Sequence, residues 1–119
     1  MERLFEFREY HFRSESWEEY RMWLNDAMQI LRDHFDVVGF WFDVGIPAEI
    51  SGSTPMELPL GSANVTWILR WDSWEDREAG WEALWRNEAW VEHWTNHPDP
   101  GGYLRTSARF LEEAPLTPS

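Results

Sequence analysis

Apolar and polar residues change their spacing several times along the chain, and the clearest change falls between Asn64 and Trp94. Val65, Trp67, Leu69 and Trp71 alternate with Thr66, Ile68 and Arg70, the two-residue period of a β-strand. A helix start follows at once, because Ser73 with Asp76, or Asp72 with Glu75, supplies an N-cap and an acid three residues on. Trp74, Trp81, Leu84 and Trp85 then return at sevens and fours, while Glu75, Asp76, Arg77, Glu78 and Arg86 fill the other side. That spacing predicts an amphipathic helix. Asn87 can cap a short further helix carrying Trp90, Val91 and Trp94, and the run His97-Pro98-Asp99-Pro100-Gly101-Gly102 stops it.

The rest of the chain reads in the same way. Leu4 to Phe12 alternates as a first strand, with Phe5, Phe7, Glu9 and His11 on one face and Leu4, Glu6, Arg8, Tyr10 and Phe12 on the other. Ser16-Trp17-Glu18-Glu19 has the form of a capping box and opens a long helix ending near Phe35. Its buried stripe is Trp17, Tyr20, Leu24, Ala27, Met28, Leu31 and Phe35. Val37 to Val44 is a second strand, apolar enough on both faces to be central or covered twice. Gly45 to Ala63 holds three Pro and three Gly. It is long for an unstructured connection and leaves three readings open: a lid, a dimer arm or a plain crossover. Tyr103 to Leu111 completes a fourth strand.

The order is βαβ, long loop, βαβ. It predicts an α+β fold, a ferredoxin-like βαββαβ sandwich with both long helices on one face of a four-stranded antiparallel sheet and an extra short helix before the last strand. Residues 1–112 make a single domain and 113–119 a C-terminal tail. The other face of the sheet would then expose large apolar side chains, with Trp41 on one side of the second strand and Phe40 and Phe42 on the other. A homodimer whose two sheets face each other as a dimeric α+β barrel would cover it.

Composition narrows the chemistry. A net charge of -12 disfavours nucleic acid and anionic membrane surfaces as partners. No apolar run reaches the roughly 20 residues a bilayer span needs, and the N-terminal residues lack the form of a signal peptide, so a cytoplasmic protein is expected. Without Cys or Lys the chain cannot use thiolate, disulfide or Schiff-base chemistry. His93 and His97 stand four apart, but Pro98 frays the helix there; no metal and no cofactor is expected.

Three short segments carry a family resemblance. Glu6-Phe7-Arg8-Glu9-Tyr10 resembles the E-L-R-x-Y opening of the NIPSNAP proteins, Val38-Gly39-Phe40-Trp41 is similar to their V-G-F-W strand, and Arg70-Trp71-Asp72-Ser73-Trp74 to their R-Y-D-S-L turn into a helix. The resemblance spans most of residues 4–111 and implies the dimeric α+β barrel, a fold that hosts monooxygenases, haem-degrading enzymes and isomerases and fixes no single activity. Two departures stand out. The family often has His-x-Trp in the third strand, where this chain has Trp67-Ile68-Leu69, and its connection over Gly45–Ala63 is longer than usual.

Candidate site residues follow from these faces. Ten Trp are many for 119 residues. Some of Trp41, Trp67, Trp71, Trp81, Trp85, Trp90 and Trp94 would wall a cavity for a flat apolar ligand, or else fill the core and the dimer seam. Glu6, Arg8 and Tyr10 share a face expected to be buried in the dimer, with Asp43 or Arg70 as ionic partners. Arg8 and Tyr10 would orient an enolate or carbonyl oxygen while a carboxylate accepts the proton, or the group is a structural ion-pair network. Glu9 and His11 share the opposite face, read as the helix side, where a Glu–His pair suits proton transfer. His97 would close over a ligand or bind haem, or be a surface loop residue; His34 and His93 are expected in solvent.

The resulting expectation is a homodimeric binder of a hydrophobic small molecule. Its catalytic candidates are Arg8, Tyr10, Glu9 and His11, and its substrate-binding candidates are Trp41, Asp43, Trp67, Trp81, Trp85 and His97. As a cofactor-independent enzyme it would oxygenate, isomerise or cyclise an aromatic or polyketide-like substrate. The alternatives are a non-catalytic adaptor dimer and a haem-binding or haem-degrading protein.

Overall fold

A computed structural model describes residues 3–114. The elements run β1 (Leu4–Phe12), a 3₁₀ turn (Ser14–Ser16), α1 (Trp17–His34), β2 (Val37–Phe42), β3 (Val65–Trp71), α2 (Trp74–Leu84), α3 (Glu88–Thr95) and β4 (Tyr103–Leu111). The strands form one sheet in the order β2-β3-β1-β4 with every neighbouring pair antiparallel, the ferredoxin-like arrangement the strand and helix order predicts. The predicted tail from residue 115 onward lies outside the described residues.

The core lies between the sheet and the helices. Val65, Trp67, Leu69 and Trp71 of β3 are all buried against Tyr20, Trp23, Leu24, Ala27 and Leu31 of α1 and Leu84 of α2. Two of the predicted caps close: the Ser73 hydroxyl accepts from the Asp76 amide at 3.0 Å and the Asn87 side-chain Oδ1 from the Trp90 amide at 3.1 Å. The capping box at Ser16 does not form, because the Ser16 hydroxyl donates instead to the Asp99 carboxylate. Trp23, absent from the predicted stripe, is buried. Its spacing of three from Tyr20 and four to Ala27 sets it on the same helix flank.

Three further expectations are corrected. β2 stops at Phe42 and lies at the sheet edge rather than its centre. Its apolar character comes from lying half under the helices, through Phe40 and Phe42, and half on the open face, through Trp41. Trp41 lies back over Gly39, where an added Cβ would sit 2.3 Å from the indole, so only glycine lets it do so. His34 and His93 are half-buried, each with a ring nitrogen on a backbone oxygen, Gly80 at 3.0 Å and Trp23 at 2.8 Å.

The faces of β1 are the reverse of the expected ones. Leu4, Glu6, Arg8, Tyr10 and Phe12 turn toward the helices, and Phe5, Phe7, Glu9 and His11 lie on the open face with their cross-strand neighbours Thr66, Ile68 and Arg70. The alternation was legible and the side was not, since both sets mix aromatic and charged residues.

Candidate functional site

Glu6 is fully buried in the middle of the helix-covered face. Charge there is tolerable only if the carboxylate is surrounded by donors, and it is. Trp71 Nε1 donates at 2.9 Å, Trp81 Nε1 at 3.1 Å, Arg77 through Nε at 3.1 Å and Nη2 at 3.2 Å, and Arg8 Nη1 at 2.7 Å. Burial pushes the Glu6 pKa up, but the bonds from Arg77, Trp81 and Arg8 outweigh it and hold the carboxyl below the usual glutamate range. The expected partners Asp43 and Arg70 play no part: Arg70 pairs with Asp36 at 2.7 Å and Asp43 accepts from the Gly45 amide. Arg77, on the first turns of α2, was missed because its contact with Glu6 spans 71 residues.

Arg8 carries the charge onward. Its Nε donates to the Tyr10 hydroxyl at 3.0 Å and its guanidinium lies 4.6 Å over the Trp81 ring. Burial works against that charge, but Tyr10 and Glu6 more than offset it. Two guanidinium groups meet the one buried carboxylate, and Arg77 also pairs with the exposed Glu78 at 3.6 Å.

Above Arg8 and Tyr10 lies a cavity of about 240 Å³ between sheet and helices. Its wall is mostly aromatic, from Tyr20, Trp23, Phe40, Trp67, Trp81, Trp85, Trp90, Trp94 and Tyr103, with Leu24, Leu31 and Thr106 completing it. Trp85, 53% exposed yet part of the wall, stands at the mouth. Of the expected wall residues Trp67, Trp81, Trp85, Trp90 and Trp94 are present. Trp71 instead serves Glu6, and Trp41 lies on the open face. Tyr20, Trp23 and Tyr103 were missed as wall residues; Tyr20 read as ordinary core by helical spacing, Trp23 was not placed in the buried stripe at all, and Tyr103 read as a strand end.

The polar groups of the wall are donors. The indole N–H groups of Trp67, Trp90 and Trp94 are buried with no acceptor among the described residues. The Tyr20 hydroxyl stands near that of Tyr103, close enough to influence it but outside hydrogen-bond geometry. Burial pushes the pKa of both phenols up, so they stay protonated. Among the described residues, no carboxylate lines the cavity.

Glu9 and His11 are separated from all this by the sheet. They form the floor of a cleft roofed by the long β2–β3 connection, together with Asp43, Thr66 and loop residues such as Ile50, Met56 and Leu58. His11 is buried, with Nε2 on the Gly61 carbonyl at 3.0 Å, and Gly61 holds φ +69°, the left-handed region suited to glycine. His97, expected to close over a ligand, to bind haem or to be a surface loop residue, is buried behind the cavity wall, packed on Trp23 and Trp94 with ring centroids 4.4 Å away. Both its nitrogens are engaged, Nε2 with the Tyr103 hydroxyl at 2.9 Å and Nδ1 with the Asp99 amide at 3.0 Å, which leaves no lone pair for a haem iron. Among the described residues, no three His, Asp or Glu side chains gather as a metal site, and no helix is long and apolar enough to cross a membrane.

An antiparallel sheet in this order, helices on one face and an aromatic cavity between them, defines a ferredoxin-like α+β domain. Solved NIPSNAP-like proteins share the fold over nearly the whole chain. An uncharacterized NIPSNAP-like domain protein from Burkholderia xenovorans matches with a TM-score of 0.72 and 17% identity over 99% of this chain and 90% of that one. A NIPSNAP family protein from Agrobacterium tumefaciens gives 0.73 and 14% over 98% and 90%, and a second Burkholderia xenovorans NIPSNAP domain protein 0.69 and 19% over 98% and 99%. At these identities the likeness is one of fold. No family model and no curated protein matches the sequence.

Proposed function

We propose that this is a homodimeric small-molecule-binding protein whose cavity takes a flat hydrophobic ligand bearing an oxyanion, held by Arg8 and Tyr10. The observation that carries the reading is the one-sided chemistry of the wall: aromatic surface, a guanidinium and phenol and indole donors, with no carboxylate among the described residues. A donor-only apolar site favours an acceptor-rich, negatively charged ligand, and its low dielectric strengthens each such contact. Size narrows the class. An apolar cavity of ~150 Å³ accepts benzene, so about 240 Å³ suits one or two fused rings and falls below the ~300–1,000 Å³ usual for drug-sized ligands. The enclosed volume favours a compact ring system over an extended polyketide-like chain.

The same donors would stabilise an enolate, so cofactor-independent catalysis is compatible with the binding mode. The proton acceptor is the weak point of the catalytic form. Glu6, the carboxylate beside Arg8, is occupied by five hydrogen bonds from four residues, and Glu9 and His11 lie across the sheet. A substrate in this cavity would have to lose its proton to solvent or to a base of its own. Binding is therefore the reading best supported.

The homodimer rests on the open face. Trp41 is half exposed there, and the half-buried Phe5, Phe7, Ile68 and Leu111 lie on the same face across the sheet; apolar surface on one sheet face is what an interface would cover. Titration of tryptophan fluorescence with 2-naphthoate and with 2-naphthylmethanol tests the ligand class. The naphthoate should bind at least about tenfold tighter, and Arg8→Gln should abolish that preference. Equal affinity for the two probes, or no binding of either, would overturn the reading.

A further inference from the structure

A hydrogen-bonded chain behind the cavity wall has a direction that the protein itself fixes. It begins at the turn between α3 and β4. Asp99 is fastened there by Arg13 and Ser16, whose bonds hold its carboxyl down at about 2. The turn is tied back twice more, by the Gly102 amide to the Asp99 carbonyl and by the Arg13 amide to the Gly102 carbonyl, both at 2.9 Å. At Gly102 an added Cβ would come within 2.4 Å of the Phe12 ring, so the turn is seated directly on the core.

From this fixed turn the Asp99 amide reaches His97 Nδ1 at 3.0 Å. A backbone N–H can only donate, so Nδ1 must carry the lone pair, and a neutral imidazole then carries its proton on Nε2. The surroundings keep it neutral: His97 is buried against Trp23, Trp94 and Tyr20, and burial draws its pKa down despite Asp99. Nε2–H donates in turn to the Tyr103 hydroxyl oxygen at 2.9 Å. The Tyr103 proton is then not taken by His97, and the neighbouring Tyr20 hydroxyl lies outside hydrogen-bond geometry. Tyr103 lines the cavity with its ring 5.8 Å from that of Tyr10, edge to face. Tyr10 is in the same condition, its oxygen already accepting from Arg8 Nε.

We propose that Tyr103 is a third donor to the ligand's oxyanion, beside Arg8 and Tyr10, and that His97 is a positioning residue that turns the Tyr103 hydroxyl into the cavity. The inference rests on the oxyanion-binding reading above and deepens it: it sets the anionic end of the ligand at the Tyr10–Tyr103 side, with the fused rings against the tryptophans. His97 touches no ligand. Its whole contribution passes through Tyr103.

A double-mutant cycle with 2-naphthoate tests the coupling. Tyr103→Phe and His97→Phe should each weaken naphthoate binding about tenfold, and the double variant should be no weaker than either single one. Affinity for 2-naphthylmethanol should change by less than about threefold, since a neutral acceptor loses less than a charged one. Additive penalties would make His97 a packing residue, and an unchanged naphthoate affinity in Tyr103→Phe would remove Tyr103 from the site; either result overturns the inference while leaving the cavity reading in place. Wild-type protein that binds neither probe would overturn both. Long-range ¹H–¹⁵N spectra of the wild type give a check independent of variant folding. They should show His97 protonated on Nε2 alone, and a proton on Nδ1 would reverse the chain and sink the proposal.

Discussion

One strand carries two polar pairs whose surroundings differ as much as this fold allows. Arg8 and Tyr10 face the helices, locked to Glu6 and beneath an aromatic cavity; Glu9 and His11, one residue out of phase, face the open side under a loop whose apolar residues Val44, Ile46 and Met56 are largely exposed. On the proposed reading, a sheet with one covered face would separate binding from assembly. On the covered face every charge must be matched within the protein before any is left for a ligand. Arg77, shared between Glu6 and the exposed Glu78, and Arg8 match Glu6 there, and Arg8 is the guanidinium that also lines the cavity. On the open face water does that work, and the apolar residues there are what the proposed second copy would cover.

The most damaging way to break this contrast is to remove its anchor. Glu6→Ala leaves Arg8 and Arg77 facing each other with two indoles unpartnered, and should lower unfolding stability by about 3–5 kcal/mol in urea melts. A loss below about 1 kcal/mol would mean the cluster is far wetter than its burial indicates. The wild type should also show an acid limb. The folded carboxyl sits below the ordinary value of 4.5, so its stabilisation is complete above that pH and is lost as pH falls through the folded value. Glu6→Gln should flatten that limb.

Charge on the other face should act on assembly and leave binding alone. Ile68 lies on the open side of β3, opposite Phe7 and two residues from Arg70. In the proposed dimer, Ile68→Arg would place a new charge on the covered face of each copy, at a cost of several kcal/mol. The dimer dissociation constant measured by sedimentation should rise on the order of a hundredfold or more, with naphthoate affinity unchanged. A wild-type protein already monomeric at micromolar concentration would remove the premise.

The same contrast explains what the sequence could reveal. Strand alternation in β1 and β3, the caps at Ser73 and Asn87 and the span of β4 depend on neighbours in the chain, and they were legible. The side of the sheet given to the helices depends on residues far away. Nothing near Glu6 announces that Arg77 and Trp81 will come to it across more than 70 residues. His97 was misread for a related reason: a Pro/Gly-rich segment usually runs over the surface, but here Arg13 and Ser16 draw Asp99 inward and carry the histidine with it. The tryptophan surplus pointed to a cavity, and which indoles line it was settled by tertiary packing rather than by spacing.

The smallest expected effect sharpens the comparison most. His11→Ala deletes the bond to Gly61 and loosens the roof of the open-face cleft, which should lower stability by about 1 kcal/mol. Naphthoate affinity should stay within about twofold of wild type, because the sheet backbone stands between His11 and the donor cavity and rigid strands transmit little without a second packed arrangement to switch into. A tenfold loss would join the two faces into one functional unit. The loop would then be a lid acting through the strand that both pairs share, and Glu9 with His11 would return as candidates for the proton acceptor that the aromatic cavity lacks.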